Sequence, residues 1–514
     1  MPSDEPPPRM TSVQAAPAQG RLHPLTLVLF LVNAVPGLLI PALVVWFTGS
    51  ERALGIILLL FLGLGLIPTL IRYLTFTYRI ENGELITRQG ILERTERHIP
   101  LARVQDVRFE QGIVHRMLQV VDVHIETAGG KGAEASLSVL SKAEAENLRR
   151  AVFEHARVRS PESVGTPLAP GDTTPTDVIR RLSTRELVLA GLTSNRAASA
   201  LAIILVAWQL MDDILPKDMY ERFTGFLGSF VEHWVNAGDH PSWAGILALA
   251  VLVIGLGMVL SAVGSVVLFH GFTLSRRGED LQRSYGLFTR RSSSLPRRRI
   301  QLLTIEATWL RRLLGLATLR ADTAGSRPSD PRQQGNEGRD VLLPVVREEE
   351  VQTLLPVFFP HLGAAAPDWR RVSRRAIRRG TLKGAIACAL LSAVTLSLER
   401  DLFALWPLAL IPAVYVLNAI NFRYLGFVAD EDFFRMRRGW LSRFTYIVPI
   451  RNAQTIVVRQ TPFDRRHRVA TLMVDTAGQT FTGGGPRIRN VPESEALAVA
   501  RTLAHHAART RYRW

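Results

Sequence analysis

Arginine supplies most of the chemistry this chain can offer. Of its 62 bases 58 are Arg, set against 45 acids, for a net charge of +17. Clustered guanidinium groups grip carboxylate or phosphate in a planar fork. Arg276, Arg277, Arg290, Arg291 and the run Arg297-Arg298-Arg299 form one candidate patch for an anion or an anionic lipid headgroup. The competing reading is a solvated face near an anionic leaflet. Arg370, Arg371, Arg374, Arg375, Arg378 and Arg379 fall on one side of a helix at 100° per residue, with Trp369, Ala376 and Ile377 opposite. That spacing predicts an amphipathic helix lying on the inner leaflet, at ~1 kcal/mol of attraction per base. Catalytic chemistry has little support. The chain has no H-E-x-x-H, G-x-S-x-G, G-x-x-x-x-G-K-[ST] or C-x-x-C. Its twelve His show no metal-ligand spacing, and a single Cys388 excludes an intramolecular disulfide. Gly483-Gly484-Gly485 opens no evident helix and is a weak phosphate cradle. The expectation is no enzyme, no cofactor and no metal.

These groups must be positioned by elements that the apolar pattern defines. Apolar residues come in long uncharged blocks, which excludes a simple soluble enzyme, a fibrous chain and a disordered one. Leu25–Phe47, Ala53–Ile71, Pro241–Phe269 and Leu402–Phe422 approach or exceed the roughly 20 residues that cross a bilayer. Ala197–Met211 and Gly384–Leu398 are shorter, but each lies just before a longer block. Six spans in three helical hairpins result. The first is too long for a signal-peptide core and is followed at once by a second. The hairpin tips hold only Arg52, Lys217, Arg222 and Arg400, so basic loops place both termini and the large polar blocks in the cytoplasm of a bacterial inner membrane. The bases are spread over tethered blocks, so nucleic acid is not an expected partner. Phe223, Phe226, Leu227, Phe230 and Trp234 make an apolar stripe in the second, external loop.

Three polar blocks repeat one pattern, G-x9-P-x4-Q-x10-R-x10-T-A-G, without a gap. Its anchors are Gly90, Pro100, Gln105, Arg116 and Thr127, then Gly286, Pro296, Gln301, Arg312 and Thr323, then Gly439, Pro449, Gln454, Arg465 and Thr476. Recurrence in three copies points to a fold requirement more than to a shared binding site. The glycine reads as a turn between strands and the proline as a strand start or edge. Partial alternation in runs such as Val121, Val123, Ile125 indicates strands, and each copy closes on a helix, the first opened by the capping box Ser141–Glu144.

This arrangement resembles the bacterial pleckstrin-homology (PH) domain membrane proteins of the YdbS/YdbT family. The double span, the (I/L/V)-P strand with Gln five residues on, the T-A-G and the linker Arg181–Ser194 carry the likeness. It implies the larger, three-domain, YdbT-like architecture, with PH-like α+β barrels of seven strands and one C-terminal helix. The organisation expected is a disordered tail 1–24, hairpin 25–74, PH-like domain 75–157, linker 158–183, hairpin and external loop 184–269, PH-like domain 270–360, basic helix and hairpin 368–422, and PH-like domain 423–509. The headgroup-binding turns implied by the family fall at Glu81–Glu84, Arg276–Glu279 and Asp430–Asp432, two of them acidic. The functional expectation is a non-enzymatic scaffold. Its cytoplasmic domains would bind membrane lipids, protein partners such as a one-domain YdbS-like companion, or another copy of the chain. Support of envelope integrity or stress resistance would fit. The alternative is a lipid-handling transporter or membrane enzyme.

Overall fold

A computed structural model describes residues 19–29, 67–81, 83–91, 94–101, 104–127, 133–149, 177–194, 243–278, 280–323, 341–362, 367–399, 402–476 and 486–509, with isolated positions between. Most of Leu25–Phe47 and Ala53–Ile71, all of Ala197–Met211, the stripe from Phe223 to Trp234 and Gly483–Gly485 lie outside the described residues. The chain falls into two compact units, 1–172 with 289–291, and 173–288 with 292–514.

Three helices among the described residues are long and apolar enough to cross a membrane: Ala250–Phe269, Arg375–Ser397 and Leu405–Tyr424. The first is part of a 27-residue helix, Trp243–Phe269, about 40 Å long at 1.5 Å per residue. The short uncharged run 384–398 proves to be the core of a longer helix, Arg375–Glu399. The span after it starts as a 3-10 helix, Leu402–Leu410, and continues as Ile411–Tyr424. These last two pack closely. A Cβ on Gly384 would lie 2.4 Å from Val414 Cγ1, and one on Gly380 would meet Asn418 Oδ1. Small residues four apart let two apolar helices approach to backbone contact.

The first repeat contains β1 (Gln19–Arg21), α1 (Ile67–Thr75), β2 (Thr77–Glu81), β3 (Glu84–Gln89) and β4 (Thr95–Pro100). It continues through β5 (Val104–Gln111), the short helix α2 (Ile113–Met117), β6 (Val120–Thr127), β7 (Ala133–Ser141) and a helix α3 over 142–149. β1 to β4 form one antiparallel sheet, and β5, β6 and β7 pair in sequence. The second repeat copies this plan. Its β8 (Asp177–Arg181) and α4 (Thr184–Leu192) precede the long helix α5 (Trp243–Phe269), β9 (Thr273–Arg277), β10 (Asp280–Tyr285) and β11 (Arg290–Pro296). β12 (Ile300–Ala307), α6 (Trp309–Leu313), β13 (Leu316–Thr323), β14 (Val341–Arg347) and α7 (Glu348–Phe358) complete it. In the third, α8 (Arg375–Glu399) and α9 (Ile411–Tyr424) lead into β15 (Gly426–Ala429), β16 (Phe433–Arg438) and β17 (Arg443–Pro449). β18 (Ala453–Arg459), α10 (Pro462–Arg466), β19 (Val469–Thr476), β20 (Arg487–Pro492) and α11 (Glu493–Arg509) follow.

Two repeats have a strand, and the third an isolated bridge, that the sequence reading missed. β1 pairs with β2, and β8 with β9, across the inserted hairpins, while Arg370 bridges Phe427 in the same place. The expected disordered tail therefore ends in a strand, with Leu22 buried behind it. The amphipathic helix expected over Arg370–Arg379 does not form as such. The Arg370 amide and carbonyl are both bonded to Phe427 at 3.0 Å, Val372 is buried, and helix begins only at Arg375. Sheet pairing and burial of one valine take the backbone away from the helix that the arginine spacing favoured.

The anchors occupy equivalent backbone positions. Gly90, Gly286 and Gly439 have φ of +97°, +117° and +85°, a region open to glycine. The prolines end β4, β11 and β17, and β4 is an edge strand among the described residues. Each glutamine is the extra residue of a β-bulge, between Val104 and Asp106, Ile300 and Leu302, and Ala453 and Thr455. Thr127, Thr323 and Thr476 lie across from Val104, Ile300 and Ala453, and Arg116, Arg312 and Arg465 sit in the last turns of the short helices.

The third repeat shows how the core forms. Phe427, Phe434 and Tyr446 from its first sheet meet Leu472, Val474 and Ile488 from its second, with Ala496, Val499 and Leu503 of α11 pressed between. The helix residues recur at three and four, the stripe of an amphipathic helix. The barrel is not closed on itself. β12 of the second repeat pairs antiparallel with β17 of the third, so one six-stranded sheet runs β14-β13-β12-β17-β16-β15.

Candidate functional site

Strand direction decides what faces the spans. β9 and β15 start where α5 and α9 end, so their far ends point away from the hairpin, and the glycine turns return to it. Gly90 N–H donates to Thr75 Oγ1 at 3.0 Å, and Gly286 and Leu287 N–H donate to His270 and Val267 carbonyls at 2.9 and 3.0 Å. The turn tips carry exposed apolar residues, Ile91, Phe288 and Leu441. The short helices sit at the same end and expose Met117, Leu313 and Phe463. Each repeat thus presents apolar side chains where its spans emerge.

The residue before each arginine anchor is buried and polar: His115, Arg311 and Asp464. Arg311 donates to Thr193 Oγ1 at 3.0 Å and to the Ala190 carbonyl at 3.1 Å, gripping the end of α4. Asp464 is ion-paired with Arg379 of α8 and accepts from the Thr461 amide and hydroxyl at 2.8 and 2.7 Å. Burial pushes its pKa up, but the Thr461 donors and Arg379 outweigh that and hold it below the usual carboxylate range. His115 Nε2 lies 3.2 Å from Asp122. Burial again opposes ionisation of Asp122, and the His115 and Val139 donors override it, holding its pKa low. Two of the three residues lock a helix of a hairpin to its repeat.

The densest basic group lies at the base of the third hairpin. Tyr424, the last residue of α9, has the Arg312 and Arg443 guanidinium carbons 5.1 and 5.3 Å from its ring centroid. Arg437 lies over Trp369 at 4.7 Å, and its Nε is buried without a hydrogen-bond partner. Burial, then the charges of Arg443 and Arg371, lowers the Arg437 pKa. Arg312 donates to the Trp440 carbonyl, and Arg443 pairs with Glu348 at 3.0 Å. Guanidinium groups thus gather on aromatic faces at the end of a span.

A profile of the bacterial PH domain matches residues 26–156, 224–356 and 377–507. The chain belongs to the bacterial PH domain family. Its matched segments include hairpin residues as well as sheets, in keeping with strands that pair across the insertions. The UPF0699 transmembrane protein YdbT of Bacillus subtilis (strain 168) is 24% identical over 504 residues, covering 95% of this chain and 98% of the relative. No solved structure matches the chain.

The first arginine patch is split by the PH repeat that carries it. Arg276 and Arg277 close β9, about 10–14 Å along the strand from its start beside α5. Arg297, Arg298 and Arg299 follow the far end of β11, and Arg297 is buried. Arg290 and Arg291 start β11, next to the glycine turn at the hairpin end. The seven residues are not one patch, because β9 leads away from the membrane helix that precedes it. Of the second group, Arg375 donates to the His467 carbonyl and Arg379 to Asp464 and Asn490, whereas Arg374 and Arg378 are exposed. The charge of Arg371 acts on Arg437. Arg437, Arg438 and Arg443 were not singled out from the sequence. The signal available was R-M-R-R-G-W, with three bases beside an anchor glycine and a tryptophan.

Proposed function

We propose that this transmembrane PH-domain protein is a non-enzymatic scaffold. Its three repeats are held against the inner leaflet and collect anionic lipid and protein partners there. The observation that carries the reading is the Arg371–Arg437–Arg443 group around Tyr424 and Trp369, at the end of a span. A lipid phosphate there would relieve the mutual repulsion and meet several donors at once, at ~1 kcal/mol per base near an anionic surface. The exposed residues at the glycine turns and short helices fit the apolar boundary beside it. The far ends of the repeats, with β9–β10 and its counterparts, would remain in the cytoplasm for partners such as a smaller one-domain membrane companion. A role in envelope integrity is consistent with this placement.

The test is lipid and protein co-purification of the full-length chain at two salt concentrations, read by mass spectrometry. Anionic phospholipid should be enriched over zwitterionic lipid and lost in Arg437→Gln/Arg371→Gln, while Arg276→Gln/Arg277→Gln retains it. Equal loss in both variants would remove the assigned site. A lipid turned over or moved between leaflets by the protein would replace the scaffold reading with lipid handling.

A further inference from the structure

Each strand of the junction between the second and third repeats has a counterpart, β18 or β4, that lacks such a partner among the described residues. In that junction β12 and β17 pair with Leu303 opposite Ile447, Thr304 opposite Tyr446, Ile305 opposite Thr445 and Glu306 opposite Phe444. Arg443 of β17 reaches Glu348, the first residue of α7, at 3.0 Å. The ungapped repeat assigns each of these residues a counterpart. Leu303, Thr304, Ile305 and Glu306 correspond to Ile456, Val457, Val458 and Arg459 of β18. Ile447, Tyr446, Thr445 and Phe444 correspond to His98, Arg97, Glu96 and Thr95 of β4.

Among the described residues, β18 is the outer strand of its sheet and so is β4. Burial follows the difference. Leu303 and Thr304 are buried in the junction, whereas Ile456 is half-buried and Val457 is 38% exposed. Ile447 and Tyr446 are buried, whereas His98 and Arg97 are exposed. An edge strand reading Ile-Val-Val is the kind that proteins ordinarily cover or break with charge, because it templates another strand. The residue types of that ion pair recur at the two edges. Glu348 N–H donates to Gly315 and Glu493 N–H to Arg468, the same position in two repeats, so Glu493 opens α11 as Glu348 opens α7. The counterpart of Arg443 is Arg94, exposed just before β4. One end offers the carboxylate, the other the guanidinium.

We infer that two copies of this chain join head to tail by strand addition, β18 of one pairing antiparallel with β4 of the next. Val458 then lies opposite Glu96, Val457 opposite Arg97 and Ile456 opposite His98, with Glu493 meeting Arg94. The contact is heterologous, so each copy keeps one edge for a further neighbour and the product is a ring or an open row. Main-chain bonds supply the attraction, and the outward side chains with the Glu493–Arg94 pair set the register. This rests on the scaffold reading and names a partner for it, a second copy.

The test uses full-length protein in a Cys388→Ser background. Chains with V458C and one affinity tag are reconstituted into liposomes with chains carrying E96C and another tag, then oxidised. Directly opposed antiparallel residues have Cα atoms about 4.5–5.5 Å apart, within the span of a disulfide. The expected result is a linked product bearing both tags. It should be absent when T455C replaces V458C, since Thr455 lies three positions off register. V457K should abolish the mixed-tag product without changing the thermal unfolding of the chain. No mixed product from cysteines that still react with maleimide overturns the inference, as does equal linkage from T455C. A chain carrying both cysteines that closes on itself as a monomer also overturns it, by placing the pairing within one molecule. So does V458C captured only by a different membrane protein in cells. Lipid enrichment at Arg437 can fail while the mixed-tag product forms, so failure of the lipid-binding reading is distinguished from failure of strand addition.

Discussion

Asparagine in place of Asp464 should loosen the third hairpin from its repeat. The carboxylate is 7% exposed and accepts from the Thr461 amide, the Thr461 hydroxyl and Arg379. An asparagine keeps the shape but offers one acceptor oxygen and turns an amide N–H₂ toward one of the three donors. Loss of the helix cap accounts for about 1 kcal/mol. Loss of the charge-assisted bond to Arg379 accounts for a further 1.5 kcal/mol or so, the low end, because Arg379 is 28% exposed and keeps Asn490 at 3.0 Å. The sum, about 2–3 kcal/mol, should appear as a lower opening free energy for the α10 amides in native-state hydrogen exchange. Thr461→Ala removes only the cap and should cost ~1 kcal/mol. Arg379→Gln with Asp464→Asn closes a double-mutant cycle, for which we expect a coupling of about 1 kcal/mol or more. The pH dependence has a definite sign. The native pKa of Asp464 is depressed, so its contribution is complete above the unfolded carboxylate value of about 4 and is lost as pH falls through the lower native value. Wild-type α10 should weaken below that pH while Asp464→Asn stays flat. A coupling below about 0.3 kcal/mol would show that span and repeat are merely adjacent.

Close contact between α4 and α5 gives a paired comparison. A Cβ on Gly191 would meet Ala262 Cα at 2.4 Å and the Ser261 carbonyl at 2.6 Å, so Gly191→Ala should cost about 1–3 kcal/mol and lower the thermal midpoint in detergent. Gly255→Ala, with nothing within 4 Å, should leave it unchanged. For topology, a fluorescent protein fused after Arg509 should be bright and alkaline phosphatase there inactive, whereas phosphatase inserted after Glu399 should be active. The reverse pattern would invert the orientation expected from the basic loops.

The three-fold repeat was legible because its anchors meet backbone demands that few residue types satisfy. Positive φ at Gly90, Gly286 and Gly439 is one such demand, and the fixed site of a bulge at Gln105, Gln301 and Gln454 is another. β1 and β8 were hidden for the opposite reason. They are three and five residues long, and the strands they pair with lie beyond an inserted hairpin, so no local periodicity marks them. Arg370–Arg379 misled because arginine spacing measures only where charge could lie. The backbone of Arg370 was already committed to Phe427. His115, Arg311 and Asp464 were invisible to a repeat search, since a base, a cation and an acid fill one position. What they share is burial of a polar side chain, and that appears only in three dimensions.

The insertion in each repeat lies between backbone partners: β1 and β2, β8 and β9, and the isolated bridge of Arg370 with Phe427. In the third repeat that bridge lies just before α8 and just after α9, so it holds the feet of the two helices near strand spacing, about 4.8 Å. Helices that close need small residues where they touch, which is what Gly380, Gly384 and Gly191 provide. The glycine turn and short helix of the same repeat then close over those feet from the side. Sheet, span and joint thus form one mechanical piece, and a PH-like repeat cut from its hairpin would lose its first strand along with its anchor.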